Sequence, residues 1–191
     1  MTSTSEKAAI RVTVGQQIAA MSHGARAGEA AAVCKSLEEE AIGIDSRGVL
    51  AFLPMAGEID ITAFLASLLA RGVPLAVPTV NWEAKTMEAA WLTSLDEDGV
   101  KTDTRGVTEP ATIVAAELEA IDLIIVPGIA FDTTCQRLGR GGGFYDRFLL
   151  TTDQVTVGVC FQCQMVEAVP SEPHDIPVAA VVTAGGRHPR R

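Results

Sequence analysis

The sequence has no surplus of positive charge: 15 Lys and Arg stand against 24 Asp and Glu, for a net charge of −9. Nucleic acid needs a basic surface to meet its phosphate backbone, so it is excluded as the main partner. Small anionic ligands stay open, because their sites need be basic only locally. No apolar run approaches the length that crosses a membrane. The first residues, MTSTSEK, are polar and hold no apolar signal core, so the expected compartment is the cytoplasm. Apolar residues make up 48% and charged residues 20% of the 191 positions, the balance of a folded domain rather than a disordered chain.

Familiar catalytic and metal patterns are scarce too. His23, His174 and His188 lie in polar contexts, and none stands with a nucleophile in a way that suits acyl transfer. No Gly-Lys-Ser/Thr of the Walker type occurs, and the dinucleotide fingerprint G-x-G-x-x-G is missing. The four cysteines are Cys34, Cys135, Cys160 and Cys163, and a cytosolic chain keeps them reduced. Only Cys160 and Cys163 form a close pair, whereas structural zinc sites usually show two. That pair ends the apolar run Val155–Phe161, so Cys160 reads as a small core residue.

What the chain does have is glycine, concentrated in one place. Residues 123–126 are apolar and few, which suits a buried strand, and Pro127-Gly128 stops them. From Gly139 to Gly143 every residue but Arg140 is glycine. Without Cβ atoms, successive backbone N–H groups can turn toward one point and cradle an anion, above all a phosphate. Tyr145 to Leu150 then reads as the start of a helix, whose N-terminus adds partial positive charge. Arg137 and Arg140 supply forked guanidinium groups for phosphate oxygens. Asp146 stands where a phosphate loop needs a carboxylate for its cation. Strand, glycine nest, helix and acid together point to nucleotide phosphates with Mg2+.

PGIAFD at 127–132 and RLGRGGGFYDR at 137–147 resemble the signature of the 5-formyltetrahydrofolate cyclo-ligase family, also called methenyltetrahydrofolate synthetases. Lys7 and Arg11 resemble its N-terminal K-x-x-x-R. Glu58, after Leu53-Pro54, resembles its substrate-side glutamate. Gln164, Val169-Pro170 and His174-Asp175 resemble its C-terminal Q…VP…HD. The resemblance runs in order through nearly the whole chain.

Elsewhere the pattern is that of alternating helices and short strands. Ser3 to Glu6 makes a capping box, so a first helix starts near residue 4 with Ile10, Val14, Ile18 and Met21 inward; His23-Gly24 should end it. A second helix is expected over 27–42, with Ala30, Val33, Leu37 and Ala41 inward. A third should run over 63–70, capped by Asp60 or Thr62 and closed by Gly72. Strands are expected at 49–53, 75–77 (ended by Pro78), 155–161 and 178–183, with an extended piece at 87–92. Residues 93–109 read as a loop or hairpin and 112–120 as a short helix. The sum is a single α/β domain over 1–184, a three-layer, Rossmann-like α/β/α fold with a mainly parallel sheet, then a basic flexible tail over 185–191. Ligands should gather at the carboxyl edge of the strands, where 53–58, 78–81, 137–146 and 163–175 can meet.

The resemblance implies ATP- and Mg2+-dependent closure of 5-formyltetrahydrofolate to 5,10-methenyltetrahydrofolate by a monomer. It implies ATP contacts from Lys7, Arg11, Arg137, Leu138, Gly139, Arg140, Gly141, Gly142, Gly143, Phe144 and Tyr145. Leu53, Glu58, Arg140 and Phe144 should touch the reduced folate, Asp146 and Asp175 should hold Mg2+, and Arg140 and Tyr145 should act in catalysis. Two positions depart from the family pattern. Phe144 stands where a tyrosine is usual, which keeps the ring and loses a hydroxyl. Thr79 follows Val77-Pro78 where a basic residue is common, which leaves the contact to the folate's glutamate tail unassigned. The alternative is a paralogue that binds ATP or folate without turnover; intact Lys7, Arg11, Asp146 and Asp175 rank it second.

Overall fold

The computed structural model describes residues 3–190. In chain order the helices are α1 (Ser3–Ala20), α2 (His23–Gly43), α3 (Thr62–Ala70) and α4 (Phe144–Leu149). The strands are β1 (Val49–Ala51), β2 (Leu75–Asn81), β3 (Thr86–Leu92), β4 (Val100–Thr102), β5 (Thr108–Pro110), β6 (Leu123–Pro127), β7 (Ala130–Phe131), β8 (Arg137–Leu138), β9 (Val155–Val159), β10 (Ala180–Thr183) and β11 (Gly186–Pro189). Seven strands form one sheet in the order β11-β10-β9-β6-β1-β2-β3. Its five central strands are parallel, and β3 and β11 close the edges antiparallel. The expected mainly parallel α/β sheet is present.

Side chains alternate between the two faces, as strand geometry requires. Val49, Ala51, Leu123, Ile125 and Val157 point to one face, where they pack with Val14, Leu37, Phe64 and Leu68 of the first three helices. Leu50, Ile124, Val126 and Val181 point to the other, under Phe131, Phe148 and Leu149. That second layer is thin: one short helix, α4, and irregular chain. The Phe131 ring needs the bare backbone of Gly158 in β9, where a Cβ would come within 2.5 Å of it. All four residues expected inward on the second helix are buried.

Several local expectations are corrected. His23-Gly24 does not end α1 but opens α2, because the Ser22 hydroxyl accepts from the Ala25 N–H at 3.1 Å and caps the new helix. Pro78 does not end β2. Pairing with β1 stops at Ala76, so the missing N–H of Pro78 costs no bond on that side, and β2 continues against β3 to Asn81. Residues 112–120 form only a 3₁₀ turn at Leu118–Ala120. Trp91 N–H donates to Val114 C=O and Ala116 N–H to Ala89 C=O, so the segment lies extended along β3. Much of the expected tail, Gly186–Pro189, is strand β11, paired with β10 through a tight turn at which Gly186 takes φ +119°. Residues 93–109 do hold a hairpin, β4–β5.

Candidate active site

Three neighbouring parallel strands, β6, β1 and β2, end on the same side of the sheet, beside a cleft of about 660 Å³. Leu53, Met55 and Glu58 come from the loop after β1, Pro78 and Val80 from the outer part of β2, and residues 127–129 from the end of β6. Lys7 and Arg11 of α1, residues 137–147, and Glu172, His174 and Asp175 also line it. Every residue the sequence singled out for nucleotide, folate or metal therefore faces one cleft. Of the stretch 163–175 expected there too, Glu172, His174 and Asp175 line the cleft and residues 163–169 do not; Gln164 is buried, and its amide donates to the carbonyls of Gly128 and Ile129 at 2.9 Å each.

The glycine loop is held open by its own backbone and by two arginines. Gly141 and Gly143 adopt φ of +100° and +66°, which other residues reach only with strain. Arg11 Nε donates to Gly139 C=O at 3.0 Å, and Arg147 Nη2 to Gly142 C=O at 2.8 Å. The carbonyls of Gly139 and Gly142 are thus occupied. Its backbone N–H groups from 140 to 143 donate to no protein acceptor among the described residues. Unpaired N–H donors ahead of α4 form a nest that fits a phosphate.

Lys7, Arg137 and Arg140 are each paired with an acid in the cleft. Lys7 Nζ lies 2.6 Å from Asp175 Oδ2 and 3.8 Å from Glu172 Oε2. Arg137 Nη2 lies 2.7 Å from Asp146 Oδ1, with the Arg137 side chain only 4% exposed. Arg140 Nε and Nη2 reach Glu58 Oε1 at 3.2 and 3.1 Å, and the other Glu58 oxygen accepts from Met55 N–H at 3.0 Å. Burial works to raise the Asp175 carboxyl, but the Lys7 ammonium and the Glu172 N–H prevail and hold it below the usual carboxylate value. Tyr145 is half-buried beside the Arg137 guanidinium, whose carbon sits 5.5 Å from the ring centre. Burial, aided by Glu58, pushes its phenol well above the ordinary value, so it stays protonated and can donate a hydrogen bond.

Glu172, His174 and Asp175 bring their ligand atoms within 4.8 Å of one another, and Asp146 is not part of that cluster. The two carboxylates of that cluster, beside a phosphate nest, fit Mg2+, which takes one or two carboxylates plus phosphate oxygens. Sequence reasoning missed Glu172 as well as Lys85 and Arg147, which also line the cleft. Glu172 could have been found as a second acid one turn before Asp175. Lys85 carries no motif at all. The Cys160-x-x-Cys163 pair lies away from the cleft: Cys160 is fully buried, burial raises both thiols, and no metal-type cluster includes either among the described residues.

The model of the 5-formyltetrahydrofolate cyclo-ligase family matches residues 3–184. The chain belongs to that family. It is 30% identical to the 5-formyltetrahydrofolate cyclo-ligase of Mycolicibacterium smegmatis over 197 aligned residues, covering 93% of each chain. Identity with the Escherichia coli K12 cyclo-ligase is 34% over 140 residues, covering 71% of this chain and 76% of the relative. The NMR structure of the Aquifex aeolicus 5,10-methenyltetrahydrofolate synthetase superposes with a TM-score of 0.82 at 29% identity, over 97% of this chain and 93% of the other. The Mycoplasma pneumoniae 5,10-methenyltetrahydrofolate synthetase shares the fold, with a TM-score of 0.74 at 19% identity, over 93% of this chain and 98% of the other.

Proposed function

We propose that the chain is an ATP- and Mg2+-dependent 5-formyltetrahydrofolate cyclo-ligase that yields 5,10-methenyltetrahydrofolate, ADP and phosphate. One observation carries this reading. Unpaired N–H donors of residues 140–143, the cations Lys7, Arg11 and Arg140, and the acid Glu58 line a single cleft in a member of this family.

The formyl oxygen is amide-like and a poor leaving group. Passing the γ-phosphoryl group of ATP to it turns it into a phosphate ester and releases ADP. N10 of the folate then attacks the formyl carbon, the carbon–oxygen bond to phosphate breaks, and N10 gives up its proton. Such a reaction asks the protein mainly to position groups and offset charge. Lys7, Arg11, Arg137 and Arg140 hold phosphate oxygens with the loop N–H groups of 139–143. Asp146 and Asp175, with Glu172 adjacent to Asp175, would hold Mg2+, which would supply further neutralisation of phosphate charge. Leu53 and Phe144 pack on the folate, and Glu58 accepts from its ring N–H groups. The protonated Tyr145 phenol orients the formyl group. Holding N10 against the activated carbon contributes proximity, several kcal/mol at full effect.

Each cation in this scheme is already held by an acid or a carbonyl. Arriving phosphate therefore exchanges partners with Asp175, Asp146 and Glu58 rather than meeting bare charges. A monomer is the proposed working unit. No described helix is long and apolar enough to cross a membrane, in keeping with the proposed cytoplasmic setting.

The test is the absorbance of 5,10-methenyltetrahydrofolate appearing from 5-formyltetrahydrofolate. Product is expected only when ATP and Mg2+ are both present. Ligand binding without product in any condition would leave the non-catalytic paralogue.

A further inference from the structure

We infer that Asp132 is a positioning residue: its carboxylate ties the hairpin bearing Arg137 and the glycine loop to the segment bearing Glu172 and Asp175, and so fixes the spacing of two cleft walls. The inference rests on the proposed nucleotide and metal roles of those walls. Asp132 sits in the turn between β7 and β8, is 4% exposed, and does not line the cleft itself.

Its two oxygens do different things. Oδ1 accepts from the Thr134 N–H at 2.8 Å, the Thr134 hydroxyl at 2.7 Å and the Gln136 N–H at 3.1 Å. These bonds close the turn, and the residue after Gln136 is Arg137, which holds Asp146. Oδ2 reaches 37 residues along the chain and accepts from the buried Val169 N–H at 2.8 Å. Three residues beyond Val169 is Glu172, whose N–H donates to Asp175 Oδ2 at 2.8 Å. One carboxylate thus anchors the chain next to Arg137 and shortly before both acids of the far wall.

A turn alone does not need a carboxylate. Asparagine serves turns as well, with its one acceptor oxygen. Burying an unpaired charge is costly, and no cation pairs with Asp132 among the described residues. What compensates is acceptance at both oxygens, and the second oxygen is used only for the link between walls.

Asp132→Asn separates the two duties. It keeps an oxygen for the turn and sets an amide NH2 against the Val169 N–H, donor facing donor. Amide exchange at Val169 is expected to quicken about tenfold, the scale of one charge-assisted bond, with β6 and β9 amides unmoved. The dissociation constant of a non-hydrolysable ATP analogue with Mg2+ should rise about tenfold for the same reason, while that of 5-formyltetrahydrofolate stays within about twofold. A variant that melts lower yet keeps Val169 exchange and analogue affinity unchanged overturns the inference. Should the variant not fold, the wild-type chain decides: amides of Thr134, Gln136 and Val169 share one carboxylate and should open together. Faster, independent exchange at Val169 overturns the link. Loss of all analogue affinity in the wild type counts instead against the proposed function.

Discussion

The middles of the parallel strands and the cleft at their carboxyl ends obey different rules. In the middle, Leu50, Ile124, Val157 and their neighbours are fully or almost fully buried among other apolar side chains. Their attraction is non-directional and scales with area. At the ends stand Arg137 against Asp146, Arg140 against Glu58 and Lys7 against Asp175. There each contact depends on charge, distance and a named partner. Stability and ligand handling are therefore separable by mutation.

The largest expected effect breaks the apolar side. Phe64 of α3 is fully buried against the helical face, and Phe64→Ala should cost about 3–5 kcal/mol, read as a lowered urea midpoint with an unchanged slope. Nucleotide and folate affinities of the folded fraction should stay as they were. Next, Asp146→Asn attacks the charged side. It leaves an oxygen for the buried Arg137 but removes the carboxylate, and turnover at saturating Mg2+ should drop at least about a hundredfold. Because Asp146 also pairs with the buried Arg137, stability should fall by about 1–3 kcal/mol, still less than for Phe64→Ala.

The smallest effect is a pH signature. Asp175 is held below its ordinary value by Lys7, so the folded chain binds fewer protons there than the unfolded chain. Its contribution is complete above the unfolded value, about pH 4, and is lost as pH falls through the depressed folded value. Lys7→Met should flatten that part of the acid limb in melting curves taken between neutral and acid pH. An acid limb identical to wild type would mean that the ion pair adds nothing to stability.

Sequence legibility followed the same division. The strand cores were visible because apolar runs as short as residues 123–126 suit buried strands, and the cleft loop because four glycines in five residues stand with Arg137, Arg140, a helix start and Asp146. Their meeting at the carboxyl edge followed from parallel topology. What stayed hidden depended on distant backbone. Residues 112–120 look helical locally, yet β-branched Thr112, Ile113 and Val114 suit the extended path that bonding to β3 selects. The tail looked loose because its pairing with β10 rests on Gly186 turning left-handed. Neither the role of Glu172 nor the two-sided use of Asp132 has a period or spacing to announce it.

The sheet's borders carry one more consequence. An edge strand offers unpaired N–H and C=O groups to any other chain, and such edges nucleate aggregation. Here β3 spends outward groups of Trp91 and Ala89 on Val114 and Ala116. At the opposite border β11 is short and bears Arg187, His188, Pro189 and then Arg190, a row of charge, ring and missing donor. Both borders are thus poor templates for another strand, and the chain can carry a wide, apolar sheet at high concentration without adding strands from its neighbours.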